Sequence, residues 1–600
     1  GLAADPEILA FIKALDQGIQ KAIELEAGQG EEKILGENIP PLVKILLNRP
    51  GCVYVDADAK AAVQLMANPP ELPRFTPPFF AMLPAFEATM IVNGGDQSDE
   101  IAKRLEALME LVPEADRVKD LQHQKLPIPM EGASLTLHRH KNYFILGWGK
   151  DTVDAAIKGL DGESKGLKEN PGFQASMEKV KLERTASVAW FNLKSLVDKA
   201  VKGLGPQGLV VAAVVQQLGA DSIDSLALCS GVVDGQIHSK GFLKTDGKTE
   251  GILALVAGRP LTAKDFEQVP ADADLVLGFT LDFPKLLSTT RKLIAQAGQE
   301  PKENFETILA QLEMELGLSF EEDIFKAFGQ KWMLYDSPSN GGILVTAPVL
   351  ALEVKDYETA QKTFEQLMKI LKLAVPGEIR AGRFGRGVYL TKKSFLDHDI
   401  YYINTIGNDD VPFTPAFTLT KTHLLASPHP QQLKAHLRFL QSKEPRFSEK
   451  KFEEKIQHEG GELFAVSYTR PELFGRYLTT VSPMIASVAF SEIQRGMPGF
   501  DAFDFPSARA LLPYFGEGLL TKERVGEGVL FNYRHGIPIP GMSSVAVTFP
   551  VFGIMSFVRV RAIRGRIEAA PAIKVNQVAP KGPVEKVRSH TKVVPRTTAS

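Results

Sequence analysis

Several short runs carry residue types that could do chemistry. Gly162-Glu163-Ser164-Lys165-Gly166 spells G-x-S-x-G, the pattern in which a serine nucleophile sits on a strained strand-to-helix turn. The residues before it read as an amphipathic helix and those after it as the loop "LKENPG", so no strand feeds the turn and the match is by chance. Gly203, Gly205 and Gly208 fit G-x-G-x-x-G, but the helix "SLVDKAVK" precedes them and Pro206 sits inside, so no tight turn onto a pyrophosphate can form. "GFLKTDGKT" (241–249) misses the phosphate-loop spacing by one residue and reads as a strand ending in a Thr-Asp-Gly turn.

His138 and His140, two apart on a strand, share a face and could hold a metal. No third ligand is visible nearby, and Lys141-Asn142 follows, so both read as solvated turn residues. Asp397-His398-Asp399 and Asn408-Asp409-Asp410 supply oxygens, yet none of the fixed calcium-loop spacings occurs. Carboxylates for glycoside hydrolysis are defined by their separation in space, and nothing in the sequence selects a pair. We therefore assign no catalytic, cofactor-binding or metal-ligating residue, and no cofactor.

The stretch "DIFKAFGQKWMLYDSPSNGGILV" (323–345) gathers a Trp, a Tyr and three glycines. Ser319 and Glu322 form a capping box, a short helix follows with Ile324, Phe325 and Phe328 as its stripe, and Gly329 is placed as its left-handed C-terminal cap. "KWMLYD" then alternates as a strand, "SPSNGG" is turn chemistry and "ILVT" returns. A phosphate cradle needs its glycines between a strand and a helix N-terminus, so the order here excludes one.

The surrounding elements repeat. "VLALEV", Asp356 as N-cap and a helix bearing Tyr357, Ala360, Phe364, Leu367 and Met368 match "EATMIV", Ser98 and a helix bearing Ile101, Leu105, Leu108 and Met109. "LTLHRHKNYFILGW" parallels "FTLTKTHLLAS", "ASVAWFNLKSLVDKA" parallels "ELFAVSYTRPELFGRYL", and "LALCSGVVDGQIHSKGFL" parallels "GLLTKERVGEGVLFNYRH". At the front, "CVYVDADAKAAVQLM" parallels "ADLVLGFTLDFPKLL". The expected fold is α+β: a tandem repeat of two domains, 36–250 and 252–540, each a largely antiparallel sheet of hairpins with packed helices. A helical segment (1–35) precedes them. An apolar closing segment (541–562) and a basic, Pro-containing, disordered tail (563–600) follow.

Composition bounds the function. The 600 residues are 44% hydrophobic and 24% charged, enough to bury a sizeable core. Net charge is −3, but from Arg559 onward ten Lys/Arg face two Asp/Glu, leaving the preceding body acidic. Such a tail suggests an arm reaching for an anionic surface, or a solvated terminus. It lacks aromatic stacking residues, so no specific nucleic-acid partner is expected. Cys52 and Cys229 alone exclude a disulfide scaffold, a zinc ribbon and an iron–sulfur cluster; two buried thiols, or one long-range disulfide, remain. No apolar run reaches the ~18 residues of a spanning helix. Val545–Val558, fourteen uncharged residues broken by Pro550, reads as a core element or an interfacial anchor. The opening "GLAADPE" lacks Met, which would fit a cleaved signal peptide.

"GRPLTAKDFEQVPADADLVLGFTLD", "ELGLSFEEDIFKAFGQKWMLYDSPSNGG" and "DIYYINTIGNDDVPFTPAFTLTKTHLLASPHPQQLKAHL" resemble long uncharacterised proteins of planctomycete bacteria, similar to a broader family of exported, often lipoprotein-like chains of unknown function. The resemblance implies export and a two-part fold, with no assigned activity. Two functions follow as expectations. One is an exported cell-envelope scaffold without catalytic activity, self-associating or bound to other envelope proteins. The alternative is a small-molecule carrier or hydrolase with its site between the two domains.

Overall fold

A computed structural model describes residues 5–26, 31–57, 61, 85–126, 134–203, 208, 212–213, 215–216, 219–247, 253–254, 258–296, 298–341, 347–375, 377–379, 386–404, 413–448, 452, 456, 459–470, 503 and 505–536. The chain divides into a unit Gly1–Val547 and a unit Thr548–Ser600, and the second, with the expected closing segment and basic tail, lies outside the described residues.

The first series of elements is α1 (Pro6–Glu26), α2 (Glu31–Leu47), β1 (Gly51–Ala57), β2 (Phe86–Asn93), α3 (Ser98–Leu108), β3 (Gln124–Leu126), β4 (Leu135–His140), β5 (Tyr143–Trp148), α4 (Thr152–Leu160), α5 (Pro171–Val180), β6 (Arg184–Phe191), α6 (Leu193–Gly203), β7 (Ile223–Val233) and β8 (Gln236–Thr245). The second series begins with β9 (Leu275–Thr280), α7 (Phe283–Gln296), α8 (Gln299–Leu316), a π-type turn (Phe320–Phe325), β10 (Phe328–Asp336), β11 (Val349–Val354) and α9 (Tyr357–Ala374). It continues with β12 (Gly377–Ile379), β13 (Arg386–Phe395), β14 (His398–Asn404), β15 (Ala416–Leu419), β16 (His423–Ser427), α10 (Pro430–Gln441), β17 (Glu462–Thr469), α11 (Ala508–Leu511), β18 (Gly518–Val525) and β19 (Gly528–Arg534).

The architecture is α+β with two antiparallel sheets. One has the order β1-β2-β5-β4-β3; the other runs β12-β13-β14-β15-β16-β11-β10-β9-β17-β18-β19-β8-β7-β6. Strands β6 to β8 thus leave the first series and join the second through a ladder from Gly528↔Lys244 to Arg534↔His238. The sequence reading expected each half to keep its own sheet. The hairpins β7–β8 and β18–β19 each end in a strand with an unpaired edge, and pairing β8 with β19 satisfies both rows of backbone groups at once.

Alternation along the strands assigns the faces. On β11, Val349 and Ala351 face α10 in the main core with Leu433 and Leu437, while Leu352 and Val354 face α9 with Ala360, Phe364 and Met368. Phe266 and Phe447, both fully buried, close the α10 side; each contributes at most about 3 kcal/mol by area. Gly278 on β9 permits this packing, because a Cβ there would lie 2.9 Å from Phe266 Cζ. The five-stranded sheet packs Leu137 and Phe144 against Leu42 of α2 and Ile101 and Ala102 of α3. Val180 and Leu182, at and beyond the end of α5, cover Ala227, Cys229 and Phe242.

The 319–341 stretch differs in detail from its expected form. Ser319 accepts from the Glu322 amide, but the reciprocal carboxylate is Asp323, whose Oδ2 takes the Ser319 amide at 2.7 Å. The helix it starts is one π-type turn, and a wider ring brings residue four, not three, back to the cap. Gly329 is no helix cap: it lies within β10, where a Cβ would meet Glu353 Oε2 at 2.2 Å. β10 then ends in a short 3-10 turn, Pro338–Asn340, with Gly341 at φ +83°. The returning "ILVT" lies outside the described residues.

Candidate functional site: two open strand edges

The structure scatters the residues that could have formed a catalytic constellation. Ser164 is exposed in the loop after α4, with no strand before it. Gly203 ends α6, and residues 204–207 lie outside the described residues. β8 ends at Thr245 ahead of Gly247 at φ +82°, a strand-ending turn. Asp397 sits at φ +60° in the β13–β14 turn, and Asp399 is held by Lys392 at 2.6 Å and Ser394 at 2.7 Å; residues 408–410 are outside the described residues. Among the described residues no group of three His, Cys, Asp or Glu side chains could hold a metal. Cys52 is exposed on β1 and Cys229 buried on β7, both as free thiols, so the reading of two buried thiols fails at Cys52.

His138 corrects a second expectation. It is buried rather than solvated, with its ring 4.4 Å from His123 and its Nδ1 accepting the His123 amide at 3.1 Å. His123 Nε2 meets Asp154 at 2.9 Å, and His140 Nε2 meets Asp161 at 3.0 Å. Burial first, then the neighbouring His123 and His140, hold the His138 imidazole below its ordinary range. The cluster fastens β4 to α4.

Two polar groups, the first partly and the second fully buried, serve the large sheet in the same way. Arg259 grips Asp265 with both terminal nitrogens, at 2.7 and 3.0 Å, and reaches Glu353 at 3.0 Å. Lys331 approaches Asp265 at 3.6 Å; burial lowers its pKa, and Asp265 and Glu353 oppose that. Burial pushes the Asp265 carboxyl up, and the Arg259 guanidinium, the Thr262 amide and Lys331 together leave it below the usual range. Deeper in, the Tyr335 hydroxyl donates to His436 Nδ1 at 2.5 Å and accepts from Asn340 Nδ2 at 2.9 Å. Every charge in the first group is paired, and the second is closed to solvent, so both act as fastenings of β10 to its surroundings.

The unspent surface lies elsewhere, on the strands that end the two sheets. β1 ends the five-stranded sheet opposite β3, and β6 ends the fourteen-stranded one opposite β12; among the described residues no strand pairs with the outer edge of β1 or of β6. Val53, Tyr54 and Val55 are 66%, 62% and 57% exposed, and Val188 and Phe191 are 47% and 49% exposed. Consecutive apolar residues exposed on one strand mean that both of its faces, as well as its edge, are uncovered. Lys199 on α6, the helix that follows β6, meets Asp56 at the end of β1 at 2.6 Å, and that bond raises its pKa. Tyr54 donates to the same carboxylate at 3.2 Å. Beside β6 a cleft of about 500 Å3 is lined by Trp190, Lys194, Lys199, Lys202 and Asp224. The sequence reading missed this place, because only the strand order reveals which edges stay open.

A second cleft, of about 630 Å3, lies where β8 meets the β18–β19 hairpin. In its wall Arg524 holds Glu462 at 2.7 Å, and Glu459 pairs with Lys240. Among the described residues no helix is long and apolar enough to cross a membrane.

Residues 98–375 match a family model described as "Protein of unknown function (DUF3352)". The match begins with α3 and ends just after α9, so it bridges both sheets. No curated protein and no solved structure matches the chain.

Proposed function

We propose that this chain is an exported, non-enzymatic scaffold of the cell envelope, built from two matched halves and working by holding other polypeptides at its open strand edges. The observation that carries this reading is the exposure of Val53, Tyr54, Val55, Val188 and Phe191 on two end strands whose outer edges no strand pairs with among the described residues. An open, apolar edge is a hazard unless something covers it. The resemblance to exported bacterial chains supports the envelope setting.

The strand order supports the matched halves. Reading outward from the β8–β19 junction, β8, β7, β6 on one side follow the pattern of β19, β18, β17 on the other. Further out, β1-β2-β5-β4-β3 follows the pattern of β10-β11-β16-β15-β14. In this alignment β1 corresponds to β10, not to β9 as its sequence suggested. The cleft at the β8–β19 junction is what favours the alternative, a small-molecule carrier or hydrolase between the halves.

Native mass spectrometry of the full chain purified from its own source separates the two. A co-purified polypeptide, or a homo-oligomer, is the expected result. A bare monomer carrying a reproducible small-molecule mass would overturn the scaffold reading and favour the cleft.

A further inference from the structure

Eight non-glycine residues have a positive φ among the described residues, and three of them fall within four positions: Asp120 at +54°, Leu121 at +55° and His123 at +51°. A leucine in the left-handed region is strained, and such backbone persists only where its surroundings hold it. Leu121 is held by burial, at 1% exposure in the cluster with Leu42, Ile101 and Phe144. At His123 the amide donates to His138 Nδ1 at 3.1 Å. The ladder pairs Gln124 with Leu137, so His123 and His138 are the next residues to face each other across it, and there a titratable ring accepts the amide. We infer that the turn from Lys119 to His123 is an acid-released latch: a proton arriving at His138 Nδ1 displaces the His123 amide, and the turn, with the short strand β3 behind it, leaves the edge of β4. Neither the scaffold reading nor the matched halves enter into it.

Because Nδ1 accepts an N–H, the neutral His138 ring carries its own proton on Nε2. The nitrogen left for a second proton is Nδ1, and there it would point at the His123 N–H. Two donors cannot share one bond, so the charged ring and the closed turn exclude each other. The groups around the ring do not relieve this. His123 lies 4.4 Å away on the turn side and His140 6.3 Å away along β4. On α4, Asp154 is engaged by His123, and Asp161 by His140 and Lys141. Burial first, then the two neighbouring imidazoles, hold the His138 pKa below its ordinary 6.5, with Asp154 opposing them. Opening the turn returns the ring to water and its pKa toward the ordinary value. The open form therefore binds the proton more tightly, so closure is fully favoured above about pH 6.5 and loses ground as pH falls below it.

A proton on His123 works the other way, because it tightens the bond to Asp154. Those two side chains are 49% and 56% exposed, whereas His138 is 4% exposed, so solvent screens the first effect and the buried charge decides. Two further bonds hold the turn: Gln122 Nε2 donates to the Arg139 carbonyl at 2.9 Å, and Gln124 Nε2 to the Asp116 carbonyl at 3.0 Å. Neither titrates, so they set how rarely the turn opens, and His138 sets how that frequency changes with pH. β3 has three residues and among the described residues pairs with β4 alone, so no second ladder keeps it in place. Opening bares Leu121 and the edge of β4 from Leu135 to Leu137.

The test is amide hydrogen exchange on the full chain between pH 7.5 and 5, read by mass spectrometry and corrected for the intrinsic pH dependence of exchange. Peptides covering 119–126 should lose protection several-fold for each pH unit below 6.5, with about tenfold per unit as the ceiling for one proton. Peptides covering β5 (Tyr143–Trp148), in the same sheet, should keep theirs, which separates a local opening from acid unfolding. His138→Gln offers a side-chain oxygen that accepts the His123 amide and does not titrate, so this variant should keep the turn closed across the range. Equal loss over the two segments in the wild type overturns the latch, and so does protection of 119–126 that does not change with pH. Acid opening that persists unchanged in His138→Gln assigns it to other groups and overturns it as well. Should the glutamine variant fail to fold, the comparison of the two wild-type segments still decides.

Discussion

Acidification probes the fastening between β10 and α10. His436 is fully buried; its Nδ1 accepts a hydrogen bond from the Tyr335 hydroxyl at 2.5 Å, and its Nε2 has no hydrogen-bond partner among the described residues. Burial first, then the Arg446 guanidinium, lower its pKa from an ordinary 6.5 to about 3. The unfolded chain binds this proton near pH 6.5, and the folded chain does so only near pH 3. The unfolded state therefore holds more protons between those values. The contribution is complete above about pH 6.5 and declines as pH falls toward the folded value, by about 1.4 kcal/mol per unit. Going to pH 5 thus costs about 2 kcal/mol from this side chain alone. His423 and His535, lowered to about 3 and about 4, change stability in the same direction, so a variant must isolate His436. Urea unfolding followed by tryptophan fluorescence, at pH 7.5 and 5.0, compares the wild type with His436→Phe. The variant is weaker at both pH values because the Tyr335 hydroxyl loses its acceptor. Its loss between them should be about 2 kcal/mol smaller than that of the wild type. An equal loss would refute a histidine buried in its neutral form.

Two substitutions examine the packing on either face of the large sheet. Gly278→Ala should destabilise by about 1–3 kcal/mol through the contact with Phe266, and Phe266→Leu in the same chain should recover part of the loss; additive losses in urea midpoints would contradict the steric account. Asp356→Ala should cost about 1 kcal/mol, because Oδ1 caps the Glu358 and Thr359 amides and Oδ2 takes the Thr359 hydroxyl; an unchanged midpoint would show the cap to be idle.

What the sequence revealed depended on the range of the interaction. β11 and α9 were legible because an N-cap, a 3.6-residue stripe and a two-residue alternation all operate within a few positions. Phe364 and Met368 are buried and Leu367 packs beside them, although Tyr357 remains exposed. His138 was misplaced because burial on β4 depends on helices covering both faces of its sheet, and "LTLHRH" records only an alternation. Gly329 was misread because its neighbour is the Glu353 carboxylate on the adjacent strand, not the helix before it. The open edges could not be read at all. Val53 and Val188 are exposed on strands whose outer edges no strand pairs with among the described residues, and pairing partners hundreds of residues apart leave no local signal.

The β8–β19 ladder also sets a schedule for synthesis. Gly241 pairs with Phe531, so about 290 residues must emerge before this join can form. At about 5–20 residues per second that takes roughly 15–60 s, during which the β7–β8 hairpin is complete but carries a bare edge. If the two halves are matched, the surface most like the awaited partner is the same hairpin on a neighbouring nascent chain. Crowded ribosomes on one message would therefore favour chains joined through β8, and slow initiation or an early-binding chaperone would protect the monomer.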